Sequence, residues 1–370
     1  MEYDYSFEGM DAVISPALIY YRSLICENIQ KAVRTAKGAD RLWPHIKSHK
    51  MADMIRLSME YGITRFKCAT TAEAEVAASC GAGHVVISYP LVGPNIARAV
   101  KLVQAFPGTQ FYAIGDNLEM LAQLGDAARE STGSIQVLVD VNLGMDRTGV
   151  SMEEVPAFCE ACAGIPRIAL RGLHCYDGHR TEQDYTSRKM QVDKLNLRLI
   201  DLFRSLKERF AFCSILILGG TPSFPCHADV RDAFFSPGTL FVYDDGYRKK
   251  FPDLPYVPGA AILTRVVSCP GEGIFTLDLG YKGSAADPAG IRGRLLGVEH
   301  CEEWFQSEEH WTFRMKPGYE RERPKVGEEF FVIPTHICPT SALYPSVPVV
   351  EGGKIVDHWS VSARNRQITY

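Results

Sequence analysis

The chain lacks the features that would send it to a membrane or tie it to a polymer. No uninterrupted apolar run approaches the length of a transmembrane helix, and the N-terminus, Met-Glu-Tyr-Asp-Tyr, has neither the basic segment nor the apolar core of an export signal. A membrane partner is not expected, and the cytoplasm is the expected compartment. Lys plus Arg number 40 against 44 Asp plus Glu, a net charge of −4. That charge is too small and of the wrong sign to track a phosphate backbone, so nucleic acid is excluded as a partner. The 11 cysteines form an odd, scattered set that does not read as a disulfide framework. The sole CxxC pair, Cys159-Glu-Ala-Cys162, has no second pair and no nearby histidine, and reads as core packing rather than a zinc site.

What the chain does have is length and periodicity. Its 370 residues exceed what one hydrophobic core usually serves, and a 46% hydrophobic content can fill two. From Trp43 to Tyr247 short β-branched runs alternate with longer amphipathic ones, as repeated βα units do. The expected strands are His45–Lys47, Arg65–Ala69, His84–Ser88, Gln110–Ile114, Gln136–Val141, Ala169–His174, Ile215–Leu218 and Thr239–Tyr243. These would close a (β/α)8 barrel of the TIM type. Helices are expected over Thr71–Cys80, Pro94–Phe106, Leu118–Glu130 and Glu182–Arg209, with Asp116 and Ser151 as N-caps. After Pro252 the texture becomes short alternating segments broken by Gly, Pro and Asp, which reads as a mostly antiparallel β-domain. The expected layout is therefore α/β: a barrel over residues 21–250, and a β-domain from residues 1–20 plus 251–370.

Four segments carry chemistry. In Trp43-Pro-His-Ile-Lys-Ser-His-Lys50, Lys47 stands where a strand would end, flanked by His45 and His49; the plain alternative is a solvated basic turn, which is the reading for Lys50. Gly219-Gly220-Thr221-Pro-Ser223 follows an apolar strand, where glycines let backbone N–H groups approach an anion and Thr221 and Ser223 add hydroxyls. Asp140-Val-Asn-Leu-Gly-Met-Asp-Arg147-Thr-Gly149 places a fixed guanidinium in a loop. His336 and Cys338, two residues apart, lie on one side of an extended segment and can share a cation; by themselves they also fit a satisfied histidine beside a buried cysteine.

Taken together and in this order, these segments resemble the D-threonine aldolase and D-serine dehydratase family, whose barrels resemble alanine racemase, over nearly the whole chain from about Ile14. The resemblance implies pyridoxal 5′-phosphate (PLP) and a divalent metal as cofactors. Lys47 matches the Schiff-base lysine, and His45 and Tyr176 would line the cofactor. Arg147 would hold the phenolate oxygen or a substrate carboxylate, and Gly219, Gly220, Thr221, Ser223 and Tyr243 the phosphate. His336 and Cys338 match the metal segment, and the thiolate favours zinc over manganese. Family aldolases carry a histidine base before the glycine of Tyr176-Asp-Gly-His179; here Asp177 takes that place, with His179 close by. Trp43 stands where the family usually has arginine, with Arg41 two residues away, and Glu309-His310 resembles the family's acid-His element near the metal. The implied activity is a lyase on small D-3-hydroxy amino acids in a homodimer, either retro-aldol cleavage to glycine and an aldehyde or β-elimination to a 2-oxo acid and ammonia. More distant readings are an amino-acid racemase and a non-catalytic PLP-binding protein.

Overall fold

The computed structural model describes residues 3–130, 133–210, 212–366 and 369. The chain forms two compact units. Met1–Ile29, Ser48–Lys50 and Thr239–Arg364 make one; Gln30–Lys47, Met51–Gly238 and Asn365–Tyr370 make the other. The division at 238/239 differs from the expected boundary at 250, because Thr239–Phe241 is a 3-10 turn and not the last barrel strand.

In chain order the strands begin with β1 (Ala17–Tyr21), followed by β2 (Arg65–Cys68), β3 (His84–Ile87), β4 (Gln110–Gly115), β5 (Ile135–Asn142) and β6 (Val150–Ser151). Then come β7 (Ile168–Cys175), β8 (Ile215–Leu218) and β9 (Phe234–Phe235). The parallel ladder runs β2-β3-β4-β5-β7-β8-β9, with β6 paired to β5. Strands buried on both faces must be apolar throughout, and Ile-Leu-Ile-Leu of β8 is buried at every position.

The ladder curls, and residues 42–45 close it. Leu42 bridges Phe235 and His45 bridges Lys67, both in parallel. Trp43 N donates to Phe235 O (2.8 Å), His45 N to Pro237 O (2.9 Å), and Lys67 N to Pro44 O (2.9 Å). Pro44 has no N–H to give, so this stave is held by isolated bridges and not by a regular ladder. The expected strand His45–Lys47 is corrected accordingly: its second half is the 3-10 turn Ile46–Ser48. The expected strand Thr239–Tyr243 gives way to β9.

Trp43 packs in the barrel core with Val86, Tyr112, Ile114, Leu138, Ile215 and Ile217, its ring 5.4 Å from that of Tyr112. Truncation to alanine leaves a cavity that this close-packed layer cannot fill, so Trp43→Ala is expected to cost about 3–5 kcal/mol of stability, read as a lower denaturant midpoint. Two caps also differ from expectation. Asn117, not Asp116, caps the helix Leu118–Ala127, by accepting from Met120 N, while Asp116 accepts from Gly149 N (2.8 Å). Glu154, not Ser151, occupies the N-cap of Val155–Ala163.

The other unit is built on β10 (Ala260–Gly271), which reaches from one ladder to another. Its partners are β11 (Ile274–Leu277) and, in chain order, β12 (Gly293–Leu295), β13 (Cys301–Gln306), β14 (Trp311–Met315), β15 (Glu329–Pro334), β16 (Ser346–Glu351) and β17 (Lys354–Ser360). The order is β13-β14-β11-β10-β1-β16-β17, with β15 on β10 and β12 on β15. All these pairs are antiparallel except β1 with β16; β1, from the N-terminal segment, lies between β10 and β16 and so belongs to this sheet. Tyr5, Ile19, Tyr21, Leu263, Phe331 and Val350 lie in its core.

Candidate active site

A cavity of about 490 Å³ opens in the barrel unit, within the usual range for small-molecule sites. Lys47, His45, Arg147 and Tyr176 all line it, together with Lys67, Ser88 and His174. No acidic side chain is among its lining residues. Lys47 stands on the 3-10 turn directly after the closing stave, so the geometry of closure sets its position. Its backbone N–H donates to His45 Nδ1 (3.3 Å). His45 Nδ1 therefore accepts, and the ring's other nitrogen carries the hydrogen toward Ser88 Oγ, 3.2 Å away. Arg147 lies 4.9 Å from the Tyr176 ring centroid and Lys67 5.4 Å from it.

Lys67 is the residue that sequence reasoning missed. It is 2% exposed, and its Nζ sits 2.6 Å from Ser236 Oγ and 3.3 Å from His174 Nε2. Burial, and then the nearby charge of Lys47, push its ammonium down to about 7, against the pull of Asp140. His174 Nδ1 in turn meets Asp140 Oδ1 at 2.7 Å, and Thr148 Oγ1 donates to Asp140 Oδ2 at 2.7 Å. Burial, followed by the charge of Lys67, lowers the His174 imidazole and keeps it neutral. The only signal in the sequence was a charged residue inside the apolar run Phe66-Lys67-Cys68, on a barrel strand buried on both faces.

The glycine loop is tightly built. Gly219 has φ +75°, a left-handed conformation that a side chain would strain, and a Cβ on Gly220 would come within 2.9 Å of the Tyr176 ring. Ser223 does not stand ready as a free hydroxyl: its Oγ donates to Asp177 Oδ1 (2.6 Å) and accepts from Gly220 N (3.1 Å). Thr221 Oγ1 accepts from Gly238 N (3.3 Å). Asp177 is 1% exposed and is not among the cavity-lining residues. Its second oxygen meets His227 Nε2 at 2.9 Å, and His227 Nδ1 lies 2.7 Å from Asn196 Oδ1. Burial alone would raise the Asp177 carboxyl, but His227 and Ser223 hold it below its ordinary value. This pair stiffens the glycine loop from beneath. His179 also falls outside the lining; a Cβ on Gly144 would lie 3.7 Å from its Nε2, and its Nδ1 is buried without a hydrogen-bond partner. Arg41 does not replace the missing family arginine. Its guanidinium is taken by the carbonyls of Ala36, Ala228, Val230 and Ala233 and stacks on Phe235.

In the β-unit, His336 Nδ1 lies 2.5 Å from Asp287 Oδ2, and Cys338 Sγ lies 3.1 Å from Ser48 Oγ and 3.3 Å from Thr239 Oγ1. Burial would raise the Cys338 thiol, yet His336, Ser48 and Thr239 hold it below its ordinary value; burial would lower His336, but Cys338 and Asp287 bring it up to about 9. A thiol inclined to ionise beside an imidazole is a donor pair suited to a soft divalent ion, and Asp287 is placed to orient the ring. No group of three or more His, Cys, Asp or Glu is gathered for a metal among the described residues. Asp244 fixes the segment: its Oδ2 accepts from Ile337 N (3.1 Å) and its Oδ1 from Tyr247 N (2.9 Å), with burial raising it to about 6. Tyr243 is buried with its hydroxyl lacking a partner. Glu309 pairs with Lys282 (3.5 Å) in an exposed turn with His310, and does not join His336 and Cys338.

An anionic, ring-shaped cofactor fits the barrel cavity: its volume is adequate, its lining is cationic, and a lysine amine and an arginine face the same space. Comparison with known proteins agrees. The model of the alanine racemase N-terminal domain matches residues 22–231, and a serine dehydratase domain matches 259–350. The chain is 28% identical to the D-threonine aldolase of Arthrobacter sp over 87% of its own length and 85% of the relative's. It is 25% identical to the 3-hydroxy-D-aspartate aldolase of Paracoccus denitrificans (strain Pd 1222) over 97% and 94%. The crystal structure of D-threonine aldolase from Filomicrobium marinum superposes with a TM-score of 0.86 at 25% identity, covering 99% of this chain and 100% of that one. No helix among the described residues is long and apolar enough to cross a membrane. Barrel, cavity and domain matches coincide, and the chain belongs to the alanine-racemase-like family of D-threonine aldolases and D-serine dehydratases.

Proposed function

We propose that this chain is a PLP- and divalent-metal-dependent lyase that cleaves D-3-hydroxy-α-amino acids to glycine and an aldehyde. The observation that carries this reading is the cavity in which Lys47 and Arg147 face one space beside Tyr176, with no carboxylate in its lining. PLP, when bound, supplies an electron sink for the bonds at the substrate's Cα. Lys47 would hold the cofactor through its amine and hold or return the proton at Cα. Arg147 would fix a carboxylate or phenolate oxygen, and an oriented substrate is the larger part of a positioning gain. Gly219, Gly220 and Thr221 would take the phosphate, with Tyr243 as a further contact. Asp177 acts by tying Ser223 and His227 together beneath that loop. His179, close in sequence to Tyr176 but outside the cavity lining, is the proposed acceptor of the proton on the β-hydroxyl, reached through a bridging water. His336 and Cys338 would hold the metal, with zinc favoured over manganese by the thiolate; a divalent ion there supplies Lewis acidity for the β-oxygen.

Cys338 and the serine dehydratase domain match over 259–350 favour a second reading, β-elimination to a 2-oxo acid and ammonia. Product analysis separates the two. The protein is incubated with PLP, zinc or manganese, and D-threonine, D-serine or D-3-hydroxyaspartate. Glycine with an aldehyde supports the aldolase, a 2-oxo acid supports the dehydratase, and racemised substrate alone sinks both. We further propose a homodimer in the cytoplasm; a partner surface over the barrel mouth would keep water from the substrate's Cα. An active monomer in sedimentation under assay conditions would overturn that.

A further inference from the structure

We propose that Lys67 is a second functional amine of the barrel cavity, an acid–base partner that shares one proton with the ring nitrogen of the bound cofactor, its other two hydrogens being fixed by Ser236 and His174. This rests on the reading that the cavity holds PLP.

The hydrogen-bond accounting leads there. His174 Nδ1 is committed to Asp140, so its Nε2 presents a lone pair to Lys67 Nζ, 3.3 Å away. Ser236 Oγ donates to Gly219 O (3.0 Å), so it too accepts from Lys67, at 2.6 Å. Two hydrogens of the amine are thereby used. When protonated, Lys67 has one N–H left; when neutral, it has a lone pair in that direction. Lys67 itself lines the cavity, so this third position is open to what the cavity holds.

The groups facing Lys67 are Lys47, Arg147, His174, Asp140, Asp177 and the Tyr176 ring. Lys47 and Arg147 oppose its charge, the two carboxylates favour it, and burial decides the balance toward a neutral amine near pH 7. A lysine whose amine is held by two hydrogen bonds and which is only 2% exposed does not swing toward solvent. It acts on what the cavity holds beside it. The basic ring atom of the cofactor is the proton acceptor always present in the loaded protein, so the proton moves between Lys67 Nζ and that nitrogen and no other atom changes bonding.

Competitive acetylation with mass-spectrometric readout, on cofactor-free and loaded full-length protein, measures the amine directly. Lys67 is expected to label with a midpoint near pH 7 in the cofactor-free protein, against about 10 for exposed lysines, and to be protected in the loaded one. Loaded wild-type protein is expected to show a cofactor absorption step with a midpoint near neutrality. Lys67→Arg, a fixed cation, should hold the low-pH spectrum throughout, and Lys67→Met should lose the step while keeping the cofactor. A labelling midpoint near that of exposed lysines overturns the proposal, as does a wild-type absorption step in both variants. Borohydride reduction followed by peptide mapping separates the two claims: cofactor on Lys47 keeps the PLP reading whatever Lys67 does, cofactor on Lys67 overturns the proposal, and no cofactor on either overturns both.

Discussion

Replacing Lys47 by alanine is expected to remove the visible absorption of lysine-bound cofactor and to bring turnover to background. The argument is geometric before it is chemical. Lys47 projects from the turn that follows the closing stave into the cavity shared with Arg147 and Tyr176. Lys50, three residues on, has φ +58°, belongs to the β-unit, and is not among the lining residues. Lys50→Ala should therefore keep both chromophore and activity. Lys67 is the sterner control, since it does line the cavity, but Ser236 and His174 hold its amine. A chromophore that survives Lys47→Ala and disappears in Lys50→Ala or Lys67→Ala would assign the linkage to the wrong lysine here. Absorption spectra of the three variants decide it.

The second large effect is expected from the metal pair. Chelation, or Cys338→Ala, should remove lyase activity while leaving bound PLP and its absorption in place. Lewis-acid assistance is worth several kcal/mol, and each 1.4 kcal/mol is about tenfold, so the loss should reach at least roughly two orders of magnitude. Apart from Tyr243, the cofactor contacts proposed above lie on Lys47, Arg147 and the 219–221 loop, in a different compact unit from His336 and Cys338, which is why the two losses should separate. Asp287→Asn should give a smaller deficit, about 10- to 100-fold in metal affinity, as a residue that orients a ligand. Full activity of metal-free protein would return the racemase reading to first place.

How far the sequence was readable follows from how each segment is stabilised. Strands buried on both faces announce themselves, so β8 and the other inner staves were visible as apolar runs with shifts of a residue at their ends. Within the alternating texture after Pro252, Trp311–Met315 and Glu329–Pro334 read as strands from the sequence, and β14 and β15 have those limits. The closing stave was not readable as built, since Pro44 deprives it of a ladder and leaves bridges that no periodicity records. Strands β12 and β13 went unseen: β12 is three residues long, and β13 mixes charge with aromatics on an edge. At the site, Lys47, His45, Arg147 and Tyr176 line one cavity, and the family resemblance had implied that they share the cofactor. Asp177 lies outside the cavity lining for a physical reason. A carboxylate beside a substrate and a carboxylate clamped under a loop look alike in sequence, and the clamp depends on His227, fifty residues away. Lys67, Asp140 and His174 could be joined only in three dimensions, because their contacts cross the barrel from β2 to β5 and β7.

The seam at residues 42–45 gives Lys47, the lysine proposed to hold the cofactor, an unusual mechanical status. The staves from β2 to β8 are locked to one another by ladders of four or more paired residues, whereas this one is pinned by the bridges of Leu42 on one side and His45 on the other. The chain then turns at once into Lys47. Whatever is anchored at Lys47 thus pulls on the least redundant joint of the cylinder, and closure of the joint sets the reach of the amine. The two processes share a free energy, and by reciprocity each must favour the other to the same extent. A cofactor held on Lys47 would in that sense stand in for the ladder that the polypeptide, with a proline at its seam, does not form.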